Sequence, residues 1–418
     1  MLLTYQYRLQ PTLLQGATLN HWGELLCRTR SQFDRSSLTS EPIGDIPSNV
    51  DYHSQAADLK ETKGLFPEYK EIYADCQQQN VMGLDKSWKG WLIPDKIGRR
   101  GGKPRLKKQG DICSFTLPRV NSPKAGLHLT DGILKLSKIG EIPVVLHRPI
   151  LDGFPIKQAT IVSKADGWYV SFAIEDTTVP DSLPMDEIKS AVGSDVELEK
   201  FLTTSNAEAI AAPQFYRKAE TNLSRKQRKL ARHENGSHNY NSQGNKMARL
   251  HLHSARQRKD FQYSVAHDLC TAYDLIGLEK LNIKGLARTR LAQSILHAPW
   301  RTFLTIVPAV GVKRGKHPQE VDARSRSIQC CNYEERVVKD LSIPVQDCPN
   351  GGVSLDRDLN ARLNLLKRTV GQSFAAGGGL VDAQSGRQEL SFVNLSSPRH
   401  TLLAVDGGSC YSTYGYHP

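Results

Sequence analysis

Three separated stretches of the chain each place a carboxylate at the edge of an apolar run. Asp195 sits inside AVGSDV and Glu279 ends DLIGLE. Asp356 and Asp358 form a turn ahead of a helix whose apolar face is Leu359, Leu363 and Leu366. An unpaired carboxylate in apolar surroundings is costly. Acids so placed either cap an element, pair with a cation, or converge on a shared ligand. Converged carboxylates offer hard oxygen ligands to Mg2+, and two such ions activate water and stabilise the leaving oxygen in phosphodiester hydrolysis. A single acid at a strand end is more often a cap or a salt-bridge partner. The order and context of the three carry the stronger reading.

Cations accompany these acids in two places. The stretch KIGRRGGKPRLKKQ, residues 96–109, holds Arg99, Arg100, Lys103, Arg105, Lys107 and Lys108, and its glycines and proline forbid a regular helix. A Gly-rich backbone lets side-chain cations and N–H groups approach a phosphate, although a solvated loop has the same composition. Between Gln214 and Asp260 there are 12 Lys and Arg against 3 Asp and Glu. Arg217, Lys218, Arg225, Lys226, Arg228, Lys229, Arg256, Arg258 and Lys259 lie in this helical stretch. A charged helix face can simply be solvated, but so dense a surplus favours contact with a nucleic-acid backbone.

The elements that would position these groups can be read in order. Residues 2–9 alternate as a strand that ends before Pro11, and the pattern is then mostly helical from Gln15 to Leu92, with a turn-rich break at Ser36–Asn49. Residues 112–176 change to short alternating runs separated by Gly, Pro and Asp, which predicts a small antiparallel barrel or sandwich. Thr177–Met185 reads as a linker. Beyond it come a buried strand, its hairpin partner KFLTTSN, a short strand at 207–211, a helical region over 214–272 broken at Glu234–Gly244, and the strand DLIGLE.

The whole chain has 418 residues, 55 Lys and Arg against 43 Asp and Glu, and a net charge of +12. That length predicts more than one packed unit, and that charge favours a polyanionic partner. No run of about 20 apolar residues occurs, so no membrane span is expected. The opening MLLTYQYRLQPT lacks a basic segment followed by an apolar core. The eight cysteines are scattered rather than arranged as a disulfide framework, so a cytoplasmic location is expected.

The order strand-Asp195, basic helical hairpin, LEKLNIKG around Glu279, a cysteine-bearing insertion and DRDLNA at 356–361 resembles the C-terminal half of TnpB/OrfB insertion-sequence proteins. YQYRLQPT and GGKPRLKKQG resemble that family's opening strand and basic loop. The resemblance implies an α/β plus β fold: a RuvC (RNase H-like) nuclease core at 187–325 and 353–370, with a zinc-ribbon insertion at 326–352. It also implies a β-barrel (wedge) domain at 1–14 and 96–180, a helical recognition domain at 15–95, and a flexible tail at 371–418. The implied catalytic, Mg2+-binding acids are Asp195, Glu279 and Asp358, with Asp356 left as a helix cap. The implied activity is that of an RNA-guided DNA endonuclease, formerly described as a transposase. Its partners would be a guide RNA from the transposon end and a double-stranded DNA target.

Several positions depart from that pattern. Two CxxC pairs would supply four thiolates for zinc, but aligning on Cys331 and Cys348 puts Ile328 and Gly351 at the missing positions. Zn2+ at full occupancy is therefore not expected. Ser194 replaces an apolar residue, Glu197 a glycine and Arg362 a small residue, while Pro299 and Pro308 fall where helix is expected. Glu197, two residues from Asp195, is expected to crowd the acids, raise their protonation or add a ligand. A nuclease-inactive nucleic-acid-binding protein, whether a guided repressor or a decayed transposon copy, is the alternative these departures leave open.

Overall fold

A computed structural model describes residues 1–39, 52–96, 98–107, 114–151, 153–197, 200–213, 215–281, 300–322, 324, 328–331, 336–337, 345–347 and 354–376. The chain divides into two compact units, Met1–Thr178 and Val179–Pro418.

In the first unit, β1 (Leu2–Leu9) is joined by β2 (Ser114–Leu117), β3 (Leu127–Thr130), β4 (Ile133–Leu136), β5 (Gly140–Val145), β6 (Ile156–Lys164) and β7 (Gly167–Glu175). They form a seven-stranded sheet in the order β2-β6-β7-β1-β5-β4-β3. Every pairing is antiparallel. Among the described residues the edge strands β2 and β3 do not bond to each other, so the sheet forms part of the expected barrel without a closing pair. The alternating pattern buries one face, with Tyr7, Leu117, Leu134, Ile142, Ile161 and Phe172 in the core.

Three helices accompany this sheet: α1 (Leu13–Thr39), α2 (Tyr52–Leu65) and α3 (Ala74–Leu92). Leu19, Trp22, Leu25 and Leu26 of α1 enter the sheet's core, so sheet and helices share a hydrophobic centre. A smaller cluster of Phe33, Leu59, Val81 and Leu84 ties the three helices together. Gly126 permits close contact, because a Cβ there would lie 2.3 Å from the Tyr73 ring.

The second unit holds β8 (Ala191–Asp195), β9 (Lys200–Thr204), β10 (Ala209–Ala211), β11 (Leu275–Glu279) and β12 (His317–Val321). Their order is β10-β9-β8-β11-β12. β8, β9 and β10 are antiparallel, whereas β8, β11 and β12 run parallel. α4 (Phe215–Ala231) and α5 (His238–Ala272) form the helical pair, broken at residues 232–237, which overlap the start of the expected 234–244 break. Ser237 caps α5 by accepting the Tyr240 N–H at 3.1 Å.

One sheet face packs Val192, Leu202, Ile276 and Leu278 against Val265 and Leu269 of α5 and against Phe303 and Val307 of α6 (Trp300–Lys313). Pro308 lies inside α6 without ending it, contrary to the expectation that it would be awkward there; Pro299 lies outside the described residues. The short pair β13 (Val345–Asp347) and β14 (Ser354–Asp356) leads into α7 (Arg357–Ala376). Helix α7 continues six residues past Val370, into the stretch expected to be a tail. Residues 377–418 lie outside the described residues.

Candidate active site and nucleic-acid interface

The site is assembled where α7 crosses β8 and β11. Gly193 and Gly277 are registered partners on these parallel strands. A Cβ on Gly193 would lie 2.7 Å from the Arg362 carbonyl oxygen, and one on Gly277 would lie 2.0 Å from Thr369 Oγ1. Two side-by-side glycines thus let the helix backbone sit directly on the sheet. Because side chains alternate along a strand, Asp195 and Glu279 share this α7-facing side, two residues further along their strands. The last registered pair is Ser194 with Leu278, so the two acids stand level at the carboxyl edge of adjacent strands. Asp195 is buried and Glu279 half-buried.

Asp358 comes from the first turn of α7 and is exposed. Asp356 Oδ1 accepts the N–H groups of Asp358 and Leu359, both at 3.0 Å. It is therefore the helix cap, as the sequence suggested, and Asp358 stays available to solvent beside Arg357. Among the described residues no three His, Cys, Asp or Glu side chains come close enough to hold one metal ion. The register places Asp195 and Glu279 level on neighbouring strands, while Asp358 sits on the covering helix and does not join them in one metal-sized cluster. Two neighbouring carboxylates can hold Mg2+, which keeps several waters and is commonly bound by one or two carboxylates plus substrate phosphates.

The departures around Asp195 are accommodated. Buried Ser194 donates its hydroxyl to the Gly277 carbonyl at 2.8 Å, bridging β8 to β11. Glu197 Oε1 accepts the Thr203 hydroxyl at 2.7 Å and lies 3.3 Å from Arg362 Nη1. Glu197 is thus committed to partners, and Arg362 is buried against the sheet.

Sequence reasoning missed Asp274, which secures the opposite edge. Its carboxylate accepts from the Lys189 and Ser190 N–H groups at 3.0 and 3.1 Å, and from Lys316 Nζ at 2.6 Å. Its carbonyl accepts the His317 N–H at 2.8 Å. One residue therefore aligns the starts of β8, β11 and β12. An acid just before an apolar strand, far from its cationic partner in sequence, gave no local signal.

Side chains of α7 hold Gln329 and Cys331. Asn360 Oδ1 accepts the Cys331 N–H at 2.8 Å, and Asn360 and Asn364 donate to the Gln329 carbonyl at 2.8 and 2.6 Å. Lys367 reaches the Cys331 carbonyl, and Arg368 reaches those of Asp322 and Arg324 at 2.8 Å. These side chains follow helical spacing along one face. Cys330 and Cys331 are buried. Cys348 and Gly351 lie outside the described residues.

The cations occupy both units. In the first, Gly101 comes back to α3, its N–H donating to the Gly90 carbonyl at 2.7 Å. Lys103 Nζ lies 5.2 Å over the Trp91 ring, while Arg99, Arg100, Arg105 and Lys107 are exposed. Lys108 lies outside the described residues. In the second unit, α4 and α5 pack together, Gln243 donating to the Lys226 carbonyl at 3.3 Å. Arg225, Arg228, Lys229, Arg256 and Lys259 are exposed, and Lys226 and Arg258 are half-buried. Arg217 and Lys218 belong to α4, but their side chains lie outside the described residues.

The OrfB_IS605 family model, described as "Probable transposase", matches residues 174–290, a stretch that contains Asp195, Glu279 and the helical pair. InsQ of Escherichia coli (strain K12), named as a proposed RNA-guided DNA endonuclease, is 25% identical over 328 residues, covering 74% of this chain and 77% of InsQ. The TnpB-like protein L79 of Acanthamoeba polyphaga mimivirus is 26% identical over 129 residues, only 24% of its own length. The fold resembles that of a Cas12f1–sgRNA–target DNA complex, with TM-score 0.50 and 11% identity over 83% of this chain and 81% of that one. The chain is thus similar to the TnpB/OrfB transposon proteins, and the segment matched by the family model carries the strand-end acids.

Proposed function

We propose that the chain is a TnpB-like, RNA-guided, Mg2+-dependent DNA endonuclease. The observation that carries this reading is the level placement of Asp195 and Glu279 on adjacent parallel strands, beneath the helix whose first turn bears Asp358. These three acids would hold the metal. Mg2+, when bound, supplies Lewis-acid activation of water and neutralises charge developing on the phosphodiester. Asp195 is a fixed ligand, because its strand is buried on both faces. Asp358, exposed on the covering helix, meets the substrate side.

The cations of residues 99–108 and of α4 and α5 grip nucleic-acid backbone without reading sequence, as Lys and Arg contacts to phosphate do. A guide RNA from the transposon end and a double-stranded DNA target are the partners this reading requires. The name of InsQ supports it. The first unit serves as wedge (1–14 and 96–180) and recognition (15–95) regions, the second as the RuvC-like core (187–325 and 353–370) with the ribbon remnant at 326–352. Zinc at Cys331 and Cys348 is not expected at full occupancy, because Ile328 and Gly351 stand where two further thiolates are needed, and the purified chain should contain less than one zinc ion.

Asp195→Ala and Glu279→Ala should each abolish cutting of a guide-matched plasmid while leaving its binding intact, as measured by gel shift. Variants that cut as well as the parent would remove the metal assignment. A parent that binds guide and target but does not cut would be the inactive binder instead.

A further inference from the structure

We infer that Glu197 and Arg362 form a matched pair that keeps a fourth carboxylate out of the metal-binding set and fixes the charge beside Asp195. This inference rests on the metal reading above. Arg362 lies on the face of α7 pressed to the sheet, among buried Ala361, Leu365 and Leu366, and its side chain is only 8% exposed. A guanidinium there is costly without a counter-charge, and an apolar residue would suit the packing better. Its Nε is buried with no hydrogen-bond partner, so Glu197 at 3.3 Å from Nη1 is the charge that compensates it.

Glu197 has the complementary problem. Two residues past Asp195, its carboxylate would compete as a ligand or repel that neighbour. Thr203, registered opposite Asp195, donates its hydroxyl to Glu197 Oε1 at 2.7 Å. Thr203 and Arg362 together tie Glu197 to β9 and α7. Glu197 is therefore held by partners outside the acids proposed to bind the metal, and its charge and that of Arg362 cancel. Neither departure makes sense alone, and each supplies what the other lacks. Both are positioning residues.

The pair makes opposite predictions for its two halves. Mn2+ binding to the full chain would be followed by titration calorimetry, with folding checked by thermal melt. Arg362→Met releases Glu197 and should tighten Mn2+ binding by about threefold to tenfold, the direction expected when a nearby cation is removed. Glu197→Gln is nearly isosteric and leaves Arg362 uncompensated beside Asp195. It should weaken binding by a similar factor, and it carries the test if Arg362→Met does not fold. The double variant should return to within about twofold of the parent, since the two charge changes cancel.

Equal Mn2+ affinity in every folded variant, or weakening by both single changes without recovery in the double, would overturn the inference. Asp195→Ala separates the two levels. If it does not reduce Mn2+ binding, the metal reading itself fails and this inference with it. If it does, while the pair's charge has no effect, only this inference fails.

Discussion

At the amino edge of the second sheet, Asp274 joins three strands through one carboxylate and one carbonyl. Burial pushes its carboxyl up, but donation from Lys316, the Lys189 N–H and Ser190 outweighs that and holds the group below the usual carboxylate range. A carboxylate depressed in the folded state adds stability that is fully present above its unfolded pKa of about 3.9. That stability is lost as pH falls through the folded value. Asp274→Asn should therefore cost roughly 1 to 3 kcal/mol at pH 7, and the deficit should shrink as the pH is taken below about 4. Urea unfolding of both proteins at pH 7 and pH 3.5 checks this. A deficit that stays constant with pH would mean that the carboxylate's charge contributes nothing. Because Asp274 sets the starts of β8 and β11, it also sets whether Asp195 and Glu279 stand level.

At the scale of elements, the site depends on how closely α7 lies on the sheet. Gly193→Ala would drive a Cβ against the backbone oxygen of Arg362, and Gly277→Ala would drive one into Thr369. Overpacking of this kind costs about 1 to 3 kcal/mol, which should lower the melting temperature of the chain by roughly 2 to 10 °C. Adding Thr369→Ala should recover part of the loss at Gly277 and none at Gly193, where the obstacle is main chain. Full tolerance of Gly193→Ala would show that the helix does not sit where the structure places it.

Much of this element order was readable beforehand, since strand alternation, the broken helical pair and the capping role of Asp356 are all local signals. The juxtaposition of Gly193 with Gly277 was not, because strand register is set by long-range pairing. Nor could the pairing of Glu197 with Arg362, 165 residues apart, be read from local sequence. Each looked like damage by itself. Closure of the barrel was unreadable for the same reason: strand runs reveal the strands but not which edge strands meet.

At the scale of the whole molecule, the formal charge of +12 is unevenly placed, with exposed cations concentrated on α4 and α5. No helix among the described residues is long and apolar enough to cross a membrane. If these helices grip phosphates, replacing Arg225, Lys226, Arg228 and Lys229 with Gln should weaken duplex binding at low salt. It should also make the slope of log affinity against log salt shallower by about 2 to 4, since each lost contact removes about 0.9. An unchanged slope would mean that the face is merely solvated.

The central claim is guided cutting at the Asp195–Glu279 edge, and it is tested most directly by co-expressing the chain with RNA from its flanking locus. The bound RNA would be sequenced, and a matching plasmid with randomised flanking bases offered with Mg2+. A specific RNA and cutting that disappears in Asp195→Ala are the results predicted here. A complex that recovers no specific RNA, or cutting that persists in Asp195→Ala, would contradict the account.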